Sequence, residues 1–147
     1  MVNSRLNTGV KRIFLGILAI MAASLLMMCS NKTNFQNSSV VPAARGFVKV
    51  TKDKNKNFLI RVELVNLAEV KRLEPTKKTY VVWMDADDNT TQNIGQMRSE
   101  SGMFSSKLKA DFETVSTRKP TRVFITAEDD AKAQYPGFQV VMSTKDF

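Results

Sequence analysis

The stretch Thr79-Tyr80-Val81-Val82-Trp83-Met84-Asp85 decides the fold of this chain. Five consecutive apolar residues run from Tyr80 to Met84, and they include the single tryptophan of the sequence. A short run rich in β-branched and aromatic residues, closed by a polar turn at 86–89, is typical of a central strand covered on both faces. We therefore predict that the chain downstream of residue 45 is arranged around this strand.

Six further segments have the composition of β-strands, and polar turns separate them. They are residues 47–51, 58–67, 92–98, 103–112, 122–127 and 138–143. Seven strands in about a hundred residues, with turn signals at this spacing, predict an all-β antiparallel sandwich. A single helical turn is expected near 68–73.

The clearest alternation of apolar and polar residues lies in segment 103–112. It predicts that Phe104, Leu108 and Phe112 point into the core, with Lys107 and Lys109 in solvent. A turn at 99–102 is expected before it, and a polar connection at 113–120 after it.

The amino-terminal part has the composition of an export signal. Residues 1–12 are polar and positive, and residues 13–28 carry no charge. A positive region followed by an apolar region predicts a signal peptide. The apolar stretch is shorter than the roughly 20 residues that a membrane-spanning helix needs.

The residues at the end of this stretch, Leu26-Met27-Met28-Cys29, resemble a bacterial lipoprotein signal. Met28 departs from the pattern, which has a small residue at that position. The resemblance implies that Cys29 becomes a lipidated, palmitate-bearing first residue. It also implies a membrane-anchored lipoprotein of the bacterial cell envelope that faces the periplasm or the cell exterior. The alternative is an uncleaved anchor, in which Cys29 is an ordinary apolar residue.

These observations divide the chain into three parts. Residues 1–28 are the predicted signal peptide, and residues 29–44 the lipidated cysteine followed by a flexible tether. The tether is inferred from the Asn-, Ser-, Lys- and Thr-rich composition of 31–39. Residues 45–147 are the predicted β-sandwich domain.

Composition excludes several kinds of chemistry. The chain has no histidine and one cysteine, which rules out the usual zinc sites, Ser-His and Cys-His nucleophile pairs and an intramolecular disulfide. The net charge is +8, and three positive charges precede Cys29, so the remainder carries 8 − 3 = +5. This excess is spread along the chain and is not a nucleic-acid signature. We expect no catalytic residue, metal or cofactor, and no nucleic-acid partner.

Three residues are weak candidates for ligand contact: Trp83, Asp85 and Asp87. Segment 85–89 is acidic enough for calcium, but it lacks the glycine and glutamate of an EF-hand loop, so a hairpin turn is the better interpretation. The acidic segment 128–130 could meet it in space. Trp83 either stacks on a sugar or a partner from the outer face, or is buried in the core or under a loop.

Lysine and arginine crowd two segments, 49–56 and 71–78. They could dock on anionic lipid or polysaccharide at about 1 kcal/mol per well-placed charge. Solvated faces that keep the protein soluble are the alternative, and we favour it here.

The order of the segments is similar to the extracytoplasmic domain of the anti-sigma-K factor family. The matching features are 65–67, Pro75, Tyr80-Val81-Val82-Trp83, Ile94-Gly95, and Pro136-Gly137 before an apolar strand. The resemblance covers residues 45–144 and implies an immunoglobulin-like β-sandwich. Family members that regulate sigma factors carry a cytoplasmic helical segment before the membrane helix, and only twelve residues precede the apolar stretch here. The resemblance therefore implies the fold and an envelope location but not sigma-factor binding.

The function predicted from the sequence is a non-catalytic binding or interaction module. It would be tethered to the membrane by Cys29 and have an envelope protein or a polysaccharide as partner. A sensor-like accessory to an anti-sigma or envelope signalling system is the alternative. An enzyme is a third possibility and would need a carboxylate pair or a Ser-Lys dyad.

Overall fold

The computed structural model describes residues 31–100 and 109–147, and these residues form an all-β domain. A 3-10 turn at Val70–Arg72 lies near the expected helical turn. The described strands are β1 Asn31–Asn34, β2 Arg45–Lys52, β3 Phe58–Val65, β4 Thr79–Ala86, β5 Thr91–Glu100, β6 Lys109–Ser116, β7 Pro120–Glu128 and β8 Val140–Ser143.

The strands form two antiparallel sheets that share β5. One sheet has the order β1-β2-β3-β6, and the other has the order β5-β4-β7-β8. The end of β5 also pairs with β6. With β1 set aside, β2-β3-β6-β5 and β5-β4-β7-β8 follow the A-B-E-D and C′-C-F-G orders of the immunoglobulin sandwich. The predicted fold class is therefore confirmed, with one strand more than expected.

Strand β4 occupies the interior of its sheet, as its apolar run predicts. It pairs with β5 on one side and with β7 on the other. Tyr80, Val82 and Met84 belong to the core between the sheets, and Val81 and Trp83 point to the opposite face. Alternate residues of β3 meet this core from the other sheet, namely Ile60, Val62 and Leu64. Full burial of side chains this size contributes about 1.5–3 kcal/mol each.

A bulge allows β5 to pass from one sheet to the other. The pairing with β4 shifts between Val82 and Trp83, and the bulged stretch of β5 ends at Gly95. Gly95 has φ 143°, and a Cβ there would lie 2.7 Å from the ring of Phe112. Only glycine fits this backbone conformation without strain.

The segment predicted to be a tether contains strand β1 instead, so that part of the prediction is wrong. Asn31–Asn34 pairs with β2, and Phe35 donates its backbone N–H to the Gly46 carbonyl at 3.0 Å. Phe35 and Val41 are buried, and Ser38 donates its hydroxyl to the Val141 carbonyl at 2.5 Å. A short polar edge strand carries little hydrophobic signal, which is why composition alone indicated a linker.

Two other predicted boundaries differ from the structure. Strand β5 continues to Glu100, where a turn was expected, and β6 runs to Ser116, through the expected polar connection. Polar residues suit β6 because its outer face lies in solvent: Glu113 forms an ion pair with Arg61 there. Phe112 is half-buried and Lys109 is exposed, as predicted. Phe104, Lys107 and Leu108 lie outside the described residues.

The connections lie at two opposite ends of the sandwich. The hairpin end carries the β2–β3 hairpin, the β4–β5 turn and the β6–β7 connection, because Phe58 pairs with Ser116 and Asp85 with Arg122. The loop end carries 66–78 and 129–139, since Thr79 pairs with Glu128.

Candidate functional site

Asp85 and Asp87 line one groove of about 620 Å³ at the hairpin end. Nε and Nη2 of Arg122 both lie 2.7 Å from Oδ2 of Asp85, and the Thr91 hydroxyl donates to Oδ1 at 2.6 Å. Asp87 is exposed, and its backbone N–H donates to the Lys119 carbonyl. The carboxylate of Asp85 is therefore already bound by its own domain, whereas that of Asp87 faces solvent.

The acidic segment after β4 forms a tight turn. Asn89 has φ 58°, a conformation that asparagine tolerates better than most residues. A hydrogen bond from the Thr90 hydroxyl, together with the charge of Arg118, lowers the pKa of Asp88 below its ordinary 3.8. Among the described residues, no three acidic side chains converge to hold a metal ion. The acidic segment 128–130 lies at the opposite end, so the idea that the two segments meet is wrong.

Trp83 is fully buried, yet it lies outside the core between the sheets. Its ring stacks on Phe124 of β7, with centroids 6.3 Å apart and planes 13° from parallel. Its Nε1 donates to Oγ1 of Thr126 at 2.7 Å, and Ala133 of the β7–β8 loop packs against the pair. Trp83 is therefore buried under the β7–β8 loop and is not exposed on the outer face of the sheet.

The β7–β8 loop, residues 129–139, is held to the sheet by side-chain hydrogen bonds. Asn93 donates Nδ2 to the carbonyls of Ala131 and Ala133, at 3.0 and 2.9 Å. The buried Glu128 accepts from the Thr126 hydroxyl at 2.5 Å and from the Gly137 backbone N–H at 2.7 Å. A Cβ at position 137 would lie 2.7 Å from the Glu128 carboxylate, so the loop approaches this side chain closely.

The loop is also held at both of its ends. Lys77 lies 2.7 Å from the Asp129 carboxylate, and Gln139 donates Nε2 to the Glu74 carbonyl at 3.3 Å. Asp130 accepts the backbone N–H of Lys132 at 2.9 Å. These polar side chains form contacts within the domain, and the contacts hold the loop in its conformation.

Two large aromatic side chains project from this fixed loop. Tyr135 is 83% exposed and Phe138 is 88% exposed, with Pro136 between them. The sequence predicts a strand that starts at Phe138, but β8 begins at Val140. Pro136 and Gly137, just before Phe138, indicate that the chain leaves the sheet here, because proline has no backbone N–H to donate to a neighbouring strand.

Comparison with protein families, curated proteins and solved structures finds no match for this chain. The function must therefore be inferred from the residues and contacts of the structure alone. In the part of the chain that the structure describes, no helix has the length and apolarity to cross a membrane. Cys29, the predicted lipidation site, lies outside the described residues. The feature best suited to recognition is the β7–β8 loop, which is hydrogen-bonded to the sheet and has two exposed aromatic residues.

Proposed function

We propose that this chain is a non-catalytic, lipid-anchored interaction module of the bacterial cell envelope, which binds a protein partner through Tyr135 and Phe138. The observation that carries the proposal is that both rings are exposed on a loop held in one conformation. Aromatic side chains have only two rotatable bonds, so they lose little entropy on binding, and they dominate the energy of many interfaces.

The chemistry of the loop favours a protein over a polysaccharide. Recognition of a sugar needs polar side chains beside the rings, and the loop carboxylates Asp129 and Asp130 already hold Lys77 and the Lys132 backbone. Around Pro136 the exposed surface consists of the Tyr135 and Phe138 rings and one neutral amide, Gln134, so the two rings make up its larger part. Apolar patches of this kind are typical of protein–protein contacts.

The proposal includes lipid attachment at Cys29 and no reaction. Anchoring follows from the position of Cys29 after the apolar stretch, and several acyl chains give stable attachment where one does not. A carboxylate-based reaction has little support, because Asp85 is bound by Arg122 and Asp129 lies at the other end of the sandwich.

Site-specific photo-cross-linking in intact cells tests the interaction. A photo-reactive residue at position 138 is expected to give a discrete protein adduct, which weakens strongly when Tyr135→Ala is added. Val115 is 56% exposed on the other sheet and provides the matched control position. Equal adducts from 138 and 115, or an adduct to glycan alone, would refute the protein-binding surface. An adduct to an anti-sigma partner would favour the signalling alternative.

Fractionation tests the anchor separately. Cys29→Ser is expected to release the protein into the soluble periplasmic fraction or to leave an uncleaved precursor. An intact mass that shows an unmodified Cys29 thiol on the mature protein would end the lipidation hypothesis.

A further inference from the structure

A cluster of lysines covers the hairpin end of the sheet that contains β1. Lys32 and Lys49 are directly opposite each other across β1 and β2. The lysine end is defined here by five residues: Lys32, Lys49, Lys52, Lys54 and Lys56. Like charges directly opposite on neighbouring strands are unfavourable. Lys32 and Lys52 each lie over an aromatic ring, at 3.5 Å from Phe47 and 5.3 Å from Phe58, and these contacts leave the charge of both lysines in place.

No lysine of the lysine end forms an ion pair with another described residue. The ion pairs among described residues involve other bases: Arg61, Arg72, Lys77, Arg118 and Arg122. The one acid within the hairpin, Asp53, accepts hydrogen bonds from the backbones of Asn55 and Asn57, both at 2.8 Å. Its carboxylate closes the turn, and no described acid is paired with a lysine of the cluster.

Strand β1 starts beside this cluster, two residues after the proposed lipidation site in the sequence. Asn31 pairs with Val50, close to the β2–β3 hairpin, and Cys29 precedes Asn31 by two residues. Two extended residues span at most about 7 Å, so covalent geometry limits Cys29 to within that distance of Asn31. The β7–β8 loop lies at the opposite end of the sandwich.

The neighbouring turns at the hairpin end do not cancel this charge. The β4–β5 turn contributes Asp87 and Asp88, and the β6–β7 connection contributes Arg118 and Lys119. Two acids and two bases leave these turns with no net charge. The positive charge at this end therefore comes from the lysine cluster.

We propose that the lysine end docks on the phosphate groups of anionic phospholipids in the membrane that holds the anchor. This inference rests on the proposed lipidation of Cys29. Lysines within a Debye length of an anionic surface each strengthen membrane binding about five-fold. Docking turns the β2–β3 hairpin toward the bilayer and the aromatic loop outward to its partner. This gives the lysine cluster a role beyond solubility.

Amine labelling of the full lipidated protein in vesicles tests the orientation. The protein is reconstituted in phosphatidylcholine vesicles with or without phosphatidylglycerol, and labelling of each lysine is followed by mass spectrometry. Lys54 and Lys56 are expected to react about ten-fold more slowly when phosphatidylglycerol is present, and high salt should restore their reactivity. Lys71 and Lys78, at the loop end, should react equally in both vesicles.

Variants make the test specific. The combination Lys52→Gln, Lys54→Gln and Lys56→Gln should remove the effect of phosphatidylglycerol on Lys32 and Lys49, whereas Lys71→Gln with Lys78→Gln should preserve it. Equal labelling of the hairpin in both vesicles, with Cys29 shown by intact mass to be lipidated, would overturn the docking inference alone. Equal protection of Lys71 and Lys78 would overturn the orientation. An unmodified Cys29 would instead refute the anchor.

Discussion

The indole Nε1 of Trp83 donates a 2.7 Å hydrogen bond to the hydroxyl oxygen of Thr126 on the neighbouring strand. The Thr126 hydroxyl in turn donates to Glu128, which also accepts the Gly137 backbone N–H. A buried aromatic residue on one sheet face is thereby connected to the loop that presents Tyr135 and Phe138. Because Thr126 is buried and Gly137 is half-buried, loss of the acceptor leaves polar groups without a partner.

Glu128→Ala should loosen the β7–β8 loop. Removal of the carboxylate leaves the Thr126 hydroxyl and the Gly137 N–H without their acceptor, at a cost of about 1–3 kcal/mol per group. Trp83 is the only tryptophan, so its fluorescence reports the change directly. We expect red-shifted emission and increased quenching by acrylamide.

Glu128→Gln is the matched variant, because both hydrogen bonds go to Oε1 of Glu128 and an amide oxygen can accept two. Its emission should stay close to that of the unmodified protein. Glu63→Ala, at an exposed position on the other sheet, should change neither property. Unchanged emission of Glu128→Ala would show that Glu128 does not hold the loop over Trp83.

The central strand could be predicted from sequence because its signal is local. The run from Tyr80 to Met84 is short, apolar at every position and rich in β-branched and aromatic residues, which is typical of a strand covered on both faces. The face of Trp83 could not be predicted, since either face of such a strand is buried. Coverage of the outer face depends on Phe124 and Ala133, which lie far away in the sequence.

The same limit applies to the candidate site. The turn after Asp85 could be predicted from its own residues, but the ion pair with Arg122 joins positions separated by 37 residues. Strand β1 is polar, so its composition does not predict a strand. It is stabilised by pairing with β2 and by the burial of Phe35. The ion pair and strand β1 could not be predicted because both depend on contacts between segments that are distant in the sequence.

Phe35→Ala tests whether the amino-terminal segment belongs to the folded domain. Phe35 is buried in the core, so its truncation should lower the free energy of unfolding by about 3–5 kcal/mol. Gln36→Ala changes an exposed neighbour and should stay within about 0.5 kcal/mol. Urea unfolding of residues 31–147 measures both. A fragment of residues 45–147 should also be less stable than 31–147; equal midpoints would support the tether.

Gly95→Ala tests the bulge that carries β5 between the sheets. The φ of 143° strains a residue with a side chain, by about 1–3 kcal/mol, and the new methyl group meets the Phe112 ring. Phe112→Leu in the same chain should relieve the contact but not the backbone strain. A double-mutant cycle by urea unfolding should therefore show favourable coupling between the two substitutions. Strict additivity would mean that the Phe112 ring does not limit this position.

The buried phenol of Tyr80 should make the free energy of unfolding depend on pH in the alkaline range. Burial raises the pKa of its phenol from the ordinary 10.0 to about 12. Between these values the unfolded chain has lost the Tyr80 proton while the folded chain retains it, so the free energy of unfolding falls as pH rises. The contribution is fully present below pH 10 and is lost as pH rises through about 12.

Tyr80→Phe should remove this part of the alkaline decline. At neutral pH the variant should be less stable by about 1 kcal/mol, because the Tyr80 hydroxyl donates to the Ala68 carbonyl at 2.9 Å. Tyr135→Phe is the matched control: its ring is exposed, so the decline should persist. Urea unfolding at a series of pH values measures all three proteins. If the decline were equally steep in Tyr80→Phe and in the unmodified chain, burial of this phenol would not be its cause, and another group would have to account for the alkaline loss.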